Sequence, residues 1–343
     1  MTALDPLVCL VVFLSGLLLC GGWRFGRNPN AVLHGFGKQE TLPLRGVLVT
    51  LVVLGHMDSM TGREFWLLHG IHWATPAVAV FFFLSGYGLW KGIRTAEEKG
   101  ETSVYWKRFS LCSPVKLLFP VVVLGVCVLL HGCLMGSPVR PKDLLRLVTG
   151  MSLHNTWYVR TLLLFYAYYF LSFTTLGRKR GFWLVLVGVA CYWLVMKYGF
   201  HKRFFRWGSC YAFPAGFLFA AVENDIRSIV LRWPLRVSAA LTFSLAVVLG
   251  LHAPREVFYV MLGPVVAVVL YYWNGLAKVN AFNYLGRHSY EIYLVHRIFQ
   301  YGFLKLSWPP LIYIGSVLAA TMVTAIPLHV ADAWVMDRLR KGL

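Results

Sequence analysis

"LRGVLVTLVVLGHMDSM", residues 44–60, is an apolar run with an arginine at its front edge and a histidine near its far end. Arg45 and His56 lie eleven steps apart, which in a helix is about 1100° of rotation, about three turns, and about 16 Å of rise. They therefore share one helix face at two depths. Arg45 falls at the cytoplasmic edge. His56 falls about halfway across or deeper, where an ionisable side chain is costly and usually faces a cavity or a bundle interior. Taken singly, Arg45 also reads as a positive-inside anchor and His56 as a hydrogen-bonded buried histidine.

The surrounding chain makes the membrane reading general. Of 343 residues, 58% are hydrophobic and 14% charged, against about 25% charged in soluble domains, and the mean hydropathy is +0.63. The class is an all-α polytopic integral membrane protein. Its net charge of +19 is expected to mark cytoplasmic loops rather than nucleic-acid binding, because no basic, aromatic-interleaved soluble domain exists to carry the latter. The seven cysteines are odd in number, lie mostly in apolar stretches and form no CxxC pair, so they read as small core or lipid-facing residues.

A span needs about 20 predominantly apolar residues, and division at charge clusters and Pro/Gly groups yields about eleven candidates. They lie near 7–23, 44–58, 67–90, 115–135, 155–176, 182–197, 208–222, 235–252, 256–273, 284–306 and 309–330. The opening apolar stretch lacks a preceding basic region and a clear small-residue cleavage site, so it is expected to be a retained helix. The expected layout is an N-terminal transmembrane helix and loop over 1–30 and a transmembrane domain over 31–343, with about ten core helices in the latter. Arg24, Arg27 and Lys38 are placed inside, and the alternate loops at 91–116, "GRKRG" 177–181, 227–236, 278–287 and the tail "DRLRKGL" then also come out inside. Two outer loops break this pattern: "SPVRPKDLLR" at 137–146 and "KYGFHKRFFRWG" at 197–208. A miscounted span explains them, as does a basic outer mouth that attracts an anionic or phosphate-bearing substrate.

Four stretches, in order, resemble the membrane acyltransferase-3 family. "LRGVLVTLVVLGH" follows its Arg, ten residues, His pattern, including the glycines after the Arg and before the His. "AVFFFLSGYGLW" at 79–90 is similar to its Phe-Phe-x-x-Ser-Gly-Tyr/Phe segment. "HNTWYVRTLLLFY" at 154–166 resembles its His-x-x-Trp-Phe/Tyr helix, and "YLGRHSYEIYLVH" at 284–296 its Gly-x-x-Ser-Tyr-x-x-Tyr-Leu-x-His segment. The helix at 7–23 is additional to the ten-helix core. The basic segment after the third helix is thinned to "YWKRFSLCSPVKLLFP", where Arg108 and Lys116 match only loosely, and a single-module member without an appended esterase-like domain is expected.

The resemblance implies transfer of an acyl group, commonly acetyl, from a cytoplasmic coenzyme A thioester to a hydroxyl of an extracytoplasmic carbohydrate. The residues make chemical sense of this. The donor's phosphates need a cationic clamp, supplied by Arg45 with Lys107 or Arg108. A sugar hydroxyl needs a base, and His56 is suited to take its proton. Direct transfer with His56 as general base stands first, and a covalent acyl-histidine second. Asp58 would orient the imidazole only if the helix unwinds after Gly55, since residues two apart face away from each other.

The supporting candidates each have a plainer reading. Ser85 and Gly86 allow close approach of a substrate or of a packed helix, and Tyr87 suits an acceptor contact or an aromatic belt. His154, Asn155 and Trp157 suit a sugar, or a helix cap with an interfacial Trp. Arg160, about one turn into the bilayer, needs a partner or a cavity and would stabilise an oxyanion or bind an anionic acceptor. His296 and Arg297 lie within the tenth helix, with Glu291 as an intrahelical neighbour expected to pair structurally. No metal is expected, on the ground that the histidines lack carboxylate or cysteine partners at ligand spacing.

The expected partners are acyl-CoA as donor substrate, with no permanently bound cofactor, a surface glycan or glycolipid acceptor, and the lipids of an inner or plasma membrane. A secondary transporter using Arg160, His56 and His296 for an anion or protons is the alternative, and a catalytically silent scaffold or carrier is a third.

Overall fold

The computed structural model describes residues 37, 39–61, 74–136, 138–149, 153, 156–232, 255–272, 279–306 and 308–343. Among them there is helix and no strand. The helices are α1 (Leu42–Thr61), α2 (Ala74–Glu98), α3 (Thr102–Leu134), α4 (Pro141–Val148), α5 (Trp157–Leu194), α6 (Ala212–Arg232), α7 (Arg255–Tyr272), α8 (Asn280–Arg287), α9 (Ser289–Leu304) and α10 (Pro310–Lys341). By length and composition, four are able to cross a membrane: Ala74–Glu98, Thr102–Leu134, Trp157–Gly199 and Leu311–Lys341. Leu42–Met57 and Glu256–Ala267 are shorter apolar helices. The expected helices at 7–23 and 235–252 lie outside the described residues.

Several helix ends differ from the expectation, for physical reasons. The helix expected at 115–135 begins at Thr102 and runs 33 residues, because hydropathy reports the thickness of lipid and not where helical hydrogen bonding stops. Pro114 and Pro120 lie inside it, as is tolerated in membrane helices. The helices expected at 155–176 and 182–197 form one hydrogen-bonded run broken at Gly177, whose φ of 70° and ψ of 176° are non-helical. That backbone region is essentially open to glycine alone. The helix expected at 284–306 is instead α8 and α9, divided at His288, the N-cap of α9.

The chain divides into two compact units. The first comprises residues up to Lys91 and Val189–Arg287. Its packing rests on glycines that bring backbones together. A Cβ at Gly46 of α1 would lie 2.2 Å from the Phe282 carbonyl oxygen of α8, and one at Gly286 would lie 1.8 Å from that of Leu42. The α2–α6 contact repeats the device: a Cβ at Gly86 would meet the Phe213 oxygen at 2.0 Å, and one at Gly216 the Phe83 oxygen at 2.2 Å. Small residues at such contacts are how helices associate where lipid removes the hydrophobic drive.

In the same unit the basic loop after α5 is well structured. A π-helical turn, Val195–Gly199, sets Lys197 Nζ 4.6 Å from the Trp193 ring and 5.1 Å from those of Tyr198 and Trp207. Trp207 Nε1 donates to the Lys202 carbonyl at 2.8 Å, and the Tyr192 hydroxyl to that of Arg206 at 2.9 Å.

The second unit comprises Gly92–Gly188 and His288–Leu343. An aromatic cluster of Tyr105, Trp106, Phe109, Tyr169 and Phe170 joins α3 to α5, with the Tyr105 and Tyr169 hydroxyls 2.9 Å apart in a shared hydrogen bond. The Tyr290 hydroxyl of α9 donates to the Leu117 carbonyl of α3. At the start of α4, the Arg140 amide donates to Asp143 Oδ2 at 3.1 Å.

Candidate active site

Arg45 and His56 lie on one uninterrupted helix, α1, and both are half-buried. The glycines flanking them have structural work. Gly46 admits α8 to the backbone beside Arg45, and Gly55 lets Ala74, the first residue of α2, approach to 3.3 Å of where a Cβ would stand. Because α1 continues through Asp58 to Thr61, the unwinding that would turn Asp58 toward His56 does not occur. The Asp58 side chain itself lies outside the described residues.

Ser85, Gly86 and Tyr87 each make a contact within the fold. Ser85 Oγ donates back to the Phe81 carbonyl at 2.9 Å, and Gly86 is the α2–α6 contact. The Tyr87 hydroxyl reaches both carboxylate oxygens of Glu223 at 2.9 Å, and Lys91, one turn further along α2, forms an ion pair with the same carboxylate. Glu223 is a buried acid within this unit that sequence reasoning missed. Its signal was the acid Glu223 directly after the apolar stretch "AFPAGFLFAAV" at 212–222.

The remaining candidates belong to the second unit. Lys107 and Arg108 are exposed on α3. His154 and Asn155 lie outside the described residues. Trp157 opens α5 half-buried, its carbonyl accepting from Thr161 Oγ1 at 2.9 Å, and Arg160 follows within the first turn, its amide donating to the Thr156 carbonyl at 3.0 Å. His296 is fully buried, with Nδ1 3.1 Å from the Ile292 carbonyl. Beside it Tyr293 meets Tyr158 of α5 edge-on at 5.5 Å, and Arg160 and Arg297 are both electrostatic neighbours of Tyr293. Along α9, Tyr293, His296 and Gln300 are buried and Arg297 is half-buried, with the Tyr313 hydroxyl of α10 donating to the Gln300 carbonyl at 3.3 Å.

Glu291 pairs structurally, as expected, but its partner is on another helix. His329 Nδ1 of α10 lies 2.9 Å from Glu291 Oε1. His288 adds its ring 4.6 Å from that of His329, nearly perpendicular to it. One ligand-type atom each from His288, Glu291 and His329 lie within 4.8 Å of one another. The premise that no histidine has a carboxylate at ligand spacing therefore fails here. The signal was present as two His-x-x-acid pairs, "HSYE" at 288–291 and "HVAD" at 329–332, since residues three apart share a helix face.

The described residues are helical, and four of their helices are long and apolar enough to cross a membrane. The chain belongs to the acyltransferase-3 family: the family's acyltransferase domain matches residues 44–330. No curated protein and no solved structure matches it.

Proposed function

We propose that this membrane acyltransferase moves an acyl group, acetyl by preference, from a cytoplasmic coenzyme A thioester to a hydroxyl of an extracytoplasmic carbohydrate, in a multi-pass cell membrane setting. The reading is supported above all by Arg45 and His56 on one face of an unbroken α1 within the family match. Arg45 holds donor phosphate by charge-assisted hydrogen bonds, with Lys107 and Arg108 as further donor cations. His56, as neutral imidazole, takes the acceptor hydroxyl's proton as that oxygen attacks the thioester carbonyl. Collapse of the tetrahedral intermediate breaks the carbon–sulfur bond, and the imidazolium returns the proton to the departing thiolate. The rise of about 16 Å between the two side chains sets the reacting carbon at a fixed depth from the donor's charged head.

The experiment gives membranes or purified protein a labelled acetyl thioester and follows label into surface carbohydrate. Loss of transfer in both His56→Ala and Arg45→Ala supports the reading. Transfer that survives His56→Ala overturns the proposed base, and label that never leaves the donor with any acceptor turns the reading toward transport.

A further inference from the structure

We propose that His288, Glu291, His329 and Asp332 form a zinc-type divalent cation site that pins the first turn of α9 to α10. The inference is independent of the transfer reaction. Three of these residues are brought together within 4.8 Å by their ligand-type atoms, and Asp332 follows His329 by three residues on α10, with Glu291 and His329 among its electrostatic neighbours.

Two imidazoles and two carboxylates are a ligand set for zinc or a similar first-row ion. Magnesium and calcium prefer all-oxygen shells. In a tetrahedral zinc shell with bonds of about 2.0–2.1 Å, neighbouring donor atoms stand roughly 3.3 Å apart. Glu291 Oε1 and His329 Nδ1, at 2.9 Å, already have nearly that spacing, and the His288 donor atom lies within 4.8 Å of both.

The burial makes a plain hydrogen-bond cluster an incomplete account. Glu291 is 2% exposed and Asp332 4% exposed. Glu291 Oε2 and Asp332 Oδ1 are both buried and accept no hydrogen bond among the described residues. Two carboxylates in such surroundings require cationic compensation. Glu291 lies in the first turn of α9. Lys116, His329 and Arg340 are the basic electrostatic neighbours of Asp332, and a cation held by both imidazoles would engage Glu291 and Asp332 together. Ligands from α9 and α10 close the site in the manner of a structural metal.

The test uses the full chain in detergent, stripped with chelator and reloaded with zinc or cobalt(II) chloride. Wild-type protein is expected to retain about one metal per chain after desalting, to melt at higher temperature with zinc than with chelator, and to show the visible absorption of four-coordinate cobalt. His329→Gln and Glu291→Gln each keep a hydrogen-bonding group of similar size, and each is expected to weaken zinc binding on the order of 100-fold or more. His131→Gln, on exposed α3 surface, leaves binding unchanged. The proposal is overturned if stripped wild type shows neither zinc-dependent melting nor the cobalt spectrum, or if both cluster variants bind zinc as wild type does. Should the variants not fold, the two wild-type measurements decide alone. None of these readouts involves acyl transfer, so this site and the proposed reaction stand or fall separately.

Discussion

Tyr87 donates its hydroxyl hydrogen to Glu223, with both carboxylate oxygens at 2.9 Å. Glu223 is buried, and Lys91 pairs with it one turn along α2. The relationship makes Tyr87 a positioning partner of a buried acid. Tyr87→Phe is expected to lower stability by about 1 kcal/mol, the scale of a buried hydrogen bond between membrane helices, while transfer per folded molecule holds. Thermal unfolding beside label transfer checks both halves, and unchanged melting with lost transfer would return Tyr87 to the acceptor site. Lys91→Met should cost more than Tyr87→Phe, because it leaves a buried charge without its counter-ion.

Gly46 and Gly286 set how closely α1 and α8 approach. Alanine at either position puts a Cβ at 2.2 Å or 1.8 Å from a carbonyl oxygen, and backbone cannot swing aside as a flexible side chain would. Each substitution should cost about 1–3 kcal/mol by overpacking. Gly46→Ala should also reduce transfer, since the shift falls beside Arg45. Gly88→Ala, whose Cβ meets nothing within 4 Å, is the matched control and should melt within about 0.5 kcal/mol of wild type.

Gly177 separates conformational strain from packing. A Cβ there also meets nothing within 4 Å, so any loss in Gly177→Ala comes from φ 70° and ψ 176° alone. The expected cost is about 1–3 kcal/mol, read as a lowered melting temperature. The neighbouring Arg178–Glu97 ion pair, at 2.8 Å with side chains 32% and 38% exposed, should matter far less. Glu97→Gln is expected to change stability by less than about 1 kcal/mol.

Arg45 and His56 should separate kinetically if their roles differ as proposed. Arg45→Lys keeps the charge but loses the bidentate fork, and should raise the donor KM about tenfold or more with a smaller change in kcat. His56→Gln should lower kcat by about 100- to 10,000-fold with a modest change in donor KM. Steady-state kinetics with varied thioester checks the split, and equal losses in both parameters for both variants would refute the division of roles.

Membrane character and helix identity were legible because lipid imposes long apolar runs, and the family emerged from four ordered motifs. Helix ends were less legible. Thr102 starts a helix well before the apolar stretch because backbone hydrogen bonds continue into water. His288 divides what reads as one span because hydropathy carries no record of where backbone geometry breaks. Gly46, Gly86 and Gly286 could be recognised as motif positions, yet only the paired backbones reveal that all three are contact points. Glu223 and the His288–Glu291–His329 group were hidden for a different reason. Their partners lie far off in sequence, and reading Glu291 against its own helix pointed to the wrong neighbour.

Lys197 shows how a positive residue can be misread when it is counted by sign alone. Its ammonium lies over Trp193, Tyr198 and Trp207, so part of its field is met by three ring faces within its own loop. Such a residue behaves as the centre of an aromatic clasp. The excess charge that seemed to contradict the inside-positive arrangement is, at this position, a fastener that holds the loop's shape.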